Sequence, residues 1–275
     1  MSLPSPFDLE FMRLALLAGL VVGGCAPLIG TFLVQRRMAL MGDGIGHVAF
    51  AGVAGGFLLG VWPVWSALVV SVAGALWIER LRSRGRASGD LALALFFYGG
   101  IASGVVILGA AGSLDANLLA YLFGSLLTLT PRDVVVVALL GGVIVATMAL
   151  CGRAIFATVL DEASARVAGL PVDLLNSVLA TLTAVTVVVA MRVVGILLVA
   201  ALMVLPVASG RHLGRSFTAS VAWSSTVGMA SALTGLSLAW YLALPPGGAI
   251  VLVAAGVFAA VSLGHRARAG AAARG

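Results

Sequence analysis

The 275-residue chain is 61% hydrophobic and only 9% charged, with a mean hydropathy of +1.17 and a formal net charge of +6. A water-soluble core of this size needs a polar shell that such a composition does not supply, so a soluble globular fold is excluded. The apolar runs are long and continuous rather than short and alternating, which excludes a barrel and predicts an all-α polytopic membrane protein.

Every one of the sixteen basic residues is arginine. They sit in short runs between apolar segments, the pattern of the positive-inside rule rather than of a nucleic-acid surface. The missing lysine excludes a Walker A phosphate loop and a lysine Schiff base. Any energy from ATP has to enter through a separate subunit.

The N-terminus, MSLPSPFDLEF, is acidic and lacks the positive region of an ordinary secretory signal. The apolar runs that follow mark about nine spans by length, roughly 11–34, 40–60, 64–79, 91–110, 133–151, 174–191, 194–209, 217–243 and 248–264. Arg36 and Arg37, and the arginines within 80–86, 153–166, 211–215 and 266–274, fall on alternate connections. That places thirteen of the sixteen arginines in the cytoplasm and leaves Arg13, Arg132 and Arg192 elsewhere. The N-terminus is then outside and the C-terminus inside. A count of eight spans is the alternative, but it would put both ends on one side, against the charge pattern. Residues 1–275 read as a single membrane domain, with 264–275 a disordered cytoplasmic tail. Cys25 and Cys151 lie in separate apolar segments and read as small buried hydrophobes.

The second span carries the chemistry. QRRMALMGDGIGHVAFAGVAGGFLLG sets Asp43 and His47 at i and i+4 near the start of a run that is otherwise apolar or glycine. An ionisable pair inside a membrane segment costs several kcal/mol (roughly) unless it faces a cavity or a partner. A carboxylate with an imidazole is half of a divalent transition-metal site. The competing reading is a helix-entry cap, Asp43, beside a histidine bonded to a carbonyl. Met38 and Met41 nearby read as filler.

Two connections are too long for turns. Within 111–132, the apolar piece 118–129 is too short to span and predicts a re-entrant or interfacial helix. Within 152–173, Asp161 and Glu162 suit the first turn of a short helix, Gly169 and Pro171 its end, and Asp173 the cap of the next span. Further on, Arg192 reads as a snorkelling side chain in an external turn. Pro206, with Gly195 before it, predicts a kinked span. His212 and His265 read as surface histidines at the membrane interface.

The segments RRMALMGDGIGHVAFAGVAGG, YLFGSLLTLTPRD, LDEASARVAGLPVDLL and VVGILLVAALMVLPVASGR follow one another in this order. Together they resemble the permease subunit of zinc, manganese and iron ATP-binding-cassette importers, the metal-ion branch of the type II import fold. The resemblance implies a homodimeric permease that works with cytoplasmic ABC ATPase subunits and an extracytoplasmic metal-binding protein. It implies contact of Asp43 and His47 with the ion in transit, and docking of a cytoplasmic coupling helix bearing Asp161, Glu162, Arg166, Gly169 and Pro171 into the ATPase. Gly42, Gly44 and Gly46 depart from the serine or alanine common in relatives.

No catalysis by this chain and no permanently bound cofactor is expected; the ion is cargo. An ion-coupled secondary transporter is the alternative in another class, but the chain lacks the repeat symmetry of such proteins. An intramembrane enzyme would need a motif such as H-E-x-x-H or G-x-S-x-G, and neither occurs. A permease for a metal chelate, a siderophore or cobalamin, calls for a wide passage free of ligands. The pair itself serves zinc, manganese and iron(II) alike.

Overall fold

A computed structural model describes residues 9–83, 89–111, 116–125 and 129–272. Its helices are α1 (Glu10–Gln35), α2 (Met41–Leu59), α3 (Pro63–Ser83), α4 (Gly89–Ala111), α5 (Ala116–Phe123), α6 (Pro131–Leu160), α7 (Glu162–Val167), α8 (Val172–Met191), α9 (Val199–Leu213), α10 (Phe217–Leu242) and α11 (Pro246–Ala272). A single 3-10 turn, Ile196–Leu198, leads into α9, and no strand occurs among the described residues.

Eight segments are long and apolar enough to cross a membrane: α1, α2, α3, most of α4, α6, α8, the 3-10 turn together with α9, and most of α11. The ninth expected span corresponds to α10, 26 residues long but rich in serine and threonine. Its hydroxyls are largely satisfied within the helix: Ser224 donates to the Ser220 carbonyl, Thr226 to Ala222, Thr234 to Ala230 and Ser237 to Leu233. Back-bonding of this kind lets a polar sequence keep its donors paired without water.

Helix α8 is the centre of the bundle. Its most apolar stretch is 78% buried, against 22% in α6 and α11. It packs on α3, α6, α2 and α1, while α10 closes the other flank against α1, α9 and α11. The core that results runs from Met12 and Ile29 through Ile45 and Ile78 to Leu179 and Leu202.

Several boundaries differ from expectation for identifiable reasons. Helix α6 does not stop near 151 but continues to Leu160, since CGRAIFATVL contains no proline and its single glycine, Gly152, is too small a penalty to end the helix. Helix α11 runs on to Ala272 through most of the tail expected to be disordered, where alanine and arginine favour the helix, and 273–275 lie outside the described residues. The predicted re-entrant piece appears as α5, with 126–128 outside the described residues. Pro206 lies inside a continuous α9, not at an interruption, and the break falls upstream at Gly195, φ +87°.

Polar side chains collect at the two ends of the bundle. At the arginine-poor end, Arg132 stacks on Trp62 with 4.5 Å to the ring centre, and Arg192 lies 4.7 Å over the Tyr121 ring. Arg192 does not snorkel: it is buried, and its Nη2 donates to Asp133 Oδ2 at 2.7 Å. Asp133 is fixed in turn by a capping box with Thr130, whose amide donates to the Asp133 carboxylate at 3.0 Å. Together they lock α5, the start of α6 and the end of α8.

Removing one partner of a buried ion pair leaves an uncompensated charge, at a cost of about 3–5 kcal/mol. Arg192→Met is therefore expected to lower the thermal midpoint of the purified protein steeply. Asp133→Asn combined with Arg192→Met keeps the capping ability and removes the stranded charge, so it should recover a large part of that loss.

Candidate functional site

Helix α1 ends at Gln35, and the chain reverses over 36–40. Arg36, Arg37 and Met38 donate back to the Phe32, Val34 and Leu33 carbonyls, and Arg37 adopts φ +61°. Helix α2 opens at Met41 with Leu40 as its N-cap and no side-chain cap bond. Asp43 is thus in the first turn but does not cap it, and the helix-entry reading of its carboxylate fails.

His47 stands one turn further on. Its Nε2 lies 3.9 Å from Asp43 Oδ1, too long for a hydrogen bond, with the His47 side chain 11% exposed and that of Asp43 32%. The imidazole packs edge-on against Phe97 of α4, ring centres 4.3 Å apart. Asp43 faces a cleft of about 230 Å³ lined by Leu40, Gly44, Leu93, Ala94, Phe97 and Tyr98. It accepts no hydrogen bond among the described residues. A tetrahedral ion with ligand bonds of about 2.1 Å holds two donors about 3.4 Å apart, so a small closure of the 3.9 Å gap would let one ion meet both. No cluster of three or more candidate metal ligands occurs among the described residues. Two donors are fewer than the four of a tight structural metal site.

The glycines of the second span do not unwind it. Glycines on it and on α4 let three neighbours approach its backbone. A Cβ at Gly100 of α4 would stand 2.6 Å from the His47 carbonyl carbon, and one at Gly46 would stand 3.3 Å from the Ile196 carbonyl oxygen. On the far side, a Cβ at Gly52 would come within 2.7 Å of Ala67 Cα in α3. Met38 and Met41 are buried core, as expected of filler.

At the arginine-rich end, Asp161 caps α7. Its carboxylate accepts the amides of Ala163 and Ser164 at 2.9 and 3.2 Å and the Ser164 hydroxyl at 2.6 Å, which holds its pKa below the usual carboxylate range. Gly169, at φ +82°, ends the helix, and Pro171 leads into α8. Asp173 does not cap α8; it pairs with Arg166 at 2.9 Å instead, both side chains largely exposed. Glu162 points back into the bundle, where Oε1 accepts from Arg36 at 2.6 Å, Arg82 at 2.8 Å and Asn176 at 3.2 Å. Glu79, nearly fully buried in α3, accepts from both arginines, Arg82 at 2.8 Å and Arg36 at 3.3 Å. Val167 is 90% exposed at the end of α7.

Arg36, the pair Glu79 and Arg82, and Asn176 lie far apart in sequence, and only the fold gathers them around Glu162. His212, near the end of α9, and His265, two turns before the end of α11, stand together with ring centres 5.1 Å apart, both exposed. Cys25 is buried and Cys151 half-buried, and both are free thiols.

Residues 8–265 match the model of the ABC 3 transport family. The chain is 29% identical to the high-affinity zinc uptake system membrane protein ZnuB of Haemophilus influenzae, over 90% of this chain and 95% of that one. It is 30% identical to the manganese transport system membrane protein MntC of Listeria monocytogenes, over 90% and 89%. It superposes on the structure of PsaBC from Streptococcus pneumoniae in complex with Fab with a TM-score of 0.84 at 29% identity, covering 93% of this chain and 92% of that one.

Gly99 and Gly100 separate packing at the pair from helix propensity. A Cβ at Gly99 meets nothing within 4 Å, whereas one at Gly100 meets the His47 backbone at 2.6 Å. Gly99→Ala is expected to leave thermal stability unchanged or slightly raised. Gly100→Ala should lose about 1–3 kcal/mol as α4 is forced off α2, a difference read from paired thermal melts.

Proposed function

The chain belongs to the ABC 3 transport family, and from that premise we propose that it is the membrane-spanning permease of an ATP-driven importer of divalent transition-metal ions. The observation that carries the reading is the Asp43–His47 pair. It is a carboxylate and an imidazole within one span, beside a cleft, with the carboxylate tied into neither a cap nor an ion pair closer than 3.9 Å. Zinc and manganese are the favoured cargoes, after the names of the relatives; iron(II) fits the same donors.

Two such permeases form the pathway in this reading. One chain supplies two donors, and a second copy brings the same pair again. The flank beside the cleft supports it: Leu95 and Tyr98 of α4 stand 63% and 69% exposed, next to the mouth that Asp43 lines. The arginine-rich end faces the cytoplasm, where α7 docks into a separate ATPase subunit; the other end, with both α5 and the N-terminus, meets a metal-binding delivery protein. Exposed Val167 gives α7 an apolar knob for that docking.

The test is initial uptake of zinc or manganese into proteoliposomes that hold the complete complex. Asp43→Asn keeps size and removes the charge; His47→Gln keeps polarity and removes the imidazole ligand. Both should cut uptake by about tenfold or more while complex assembly and ATP hydrolysis persist. Wild-type uptake in both variants would sink the ligand reading, and uptake without ATP would favour an ion-coupled transporter.

Docking through α7 has its own test. Val167→Asp puts a charge where the ATPase is expected to cover an apolar side chain, without touching the ion pairs of α7. The ATPase should then no longer co-purify, although the permease still inserts. Undiminished co-purification would rule Val167 out of the contact.

A further inference from the structure

We propose that Arg36 and Glu162 form a link that carries the position of α7 to Asp43, so that the state of the ATPase sets the geometry of the ion site. This rests on the proposed docking of an ATPase on α7, and it gives Arg36 and Glu162 a role in transmission.

Arg36 is the C-cap of α1, and its side chain is only 7% exposed. One guanidinium nitrogen, Nη2, donates both to Glu162 at 2.6 Å and to Glu79 at 3.3 Å. Glu162 is the first residue of α7, so any shift of that helix stretches a short, charge-assisted contact. Glu79 also holds the guanidinium, and Arg82 bridges the same two carboxylates. Asn176 adds a contact from α8 to the same Glu162 oxygen. The ends of α1 and α3 and the start of α8 therefore all grip α7 through one carboxylate.

The other half of the link is the chain itself. Between Arg36 and the first turn of α2 there are only the four residues 37–40, and they are taut. Arg37 sits at φ +61°, Met38 donates to Leu33 at 2.8 Å and Met41 to Met38 at 3.0 Å. The amides of Asp43 and Gly44 both donate to Leu40, at 3.1 and 3.0 Å. A displacement of Arg36 thus has no slack loop in which to dissipate before it reaches Asp43. It also moves Leu40, which lines the cleft beside Asp43.

The experiment uses the complete complex in proteoliposomes, with manganese or zinc uptake and ATP hydrolysis read from the same vesicles. Arg36→Gln and Glu162→Gln each remove one charge of the link; Glu162 is the more exposed partner and the milder change for folding. In both, the complex should assemble and hydrolyse ATP, while metal carried per ATP falls by about tenfold, within the usual range for coupling between sites. The double variant should be no worse than the worse single one, because both cut the same link. Arg36→Lys, which keeps the charge but not the fork, should recover part of the ratio. A wild-type ratio in both single variants overturns the proposal. So does a loss of uptake and hydrolysis in equal measure, which marks a merely structural contact.

A second readout needs no cargo. In protein with Cys25→Ala and Cys151→Ala, the thiol of Leu40→Cys should change its reactivity between nucleotide-free and vanadate-trapped complex. Arg36→Gln should abolish that change, and its persistence overturns the link. Absence of metal uptake in the wild type, with the nucleotide-dependent reactivity intact, would instead retire the proposed cargo and leave the link standing.

Discussion

Hydrocarbon offers no partner to a bare charge, and that constraint sorts the buried ionisable groups of this chain. Glu79 is tied to Arg36 and Arg82 at one end of the bundle, and Asp133 to Arg192 at the other. Each set lies where helices meet, and each draws several elements together. His47 is the buried exception, since its nearest opposite charge stands 3.9 Å away. Among the described residues, Glu79 and Asp133 are held at close range, whereas Asp43 and His47 stand apart beside a cleft.

Much of the architecture was legible because lipid imposes a length and an apolarity on each helix. The spans around α1 to α4, α6, α8, α9 and α11 follow from that rule, and α10 was found by length although hydroxyls dilute its apolar character. The candidate pair was legible for the complementary reason: ionisable residues stand out against an apolar run. The short helix after Asp161 was also visible, through its cap and its terminating glycine.

What stayed hidden was direction. Sequence spacing gives the face of a helix but not the neighbour that meets it. Asp43 and Asp173 both sit where a cap is credible, yet neither caps, because one faces a cleft and the other is claimed by Arg166. Arg192 resembles any arginine near a helix end until α6 brings Asp133 against it. Arg36 and Glu162 are 126 residues apart, and only the assembled bundle makes them partners. Helix ends drifted as well, since the apolar signal at α6 fades before the helix does.

The glycine contacts on α2 limit how the molecule can move. Interfaces cushioned by side chains slide by switching rotamers, as in shear motions. Where Gly100 meets the His47 backbone and Gly52 meets Ala67, there are no such rotamers to exchange. Helices α2, α3 and α4 consequently travel as one rigid body. The α2 and α4 walls of the cleft then move together, while Leu40, on the turn before α2, lies outside those glycine contacts. What can shift at the cleft is its rim at Leu40, like a shutter over a fixed aperture, rather than the spacing of its helical walls.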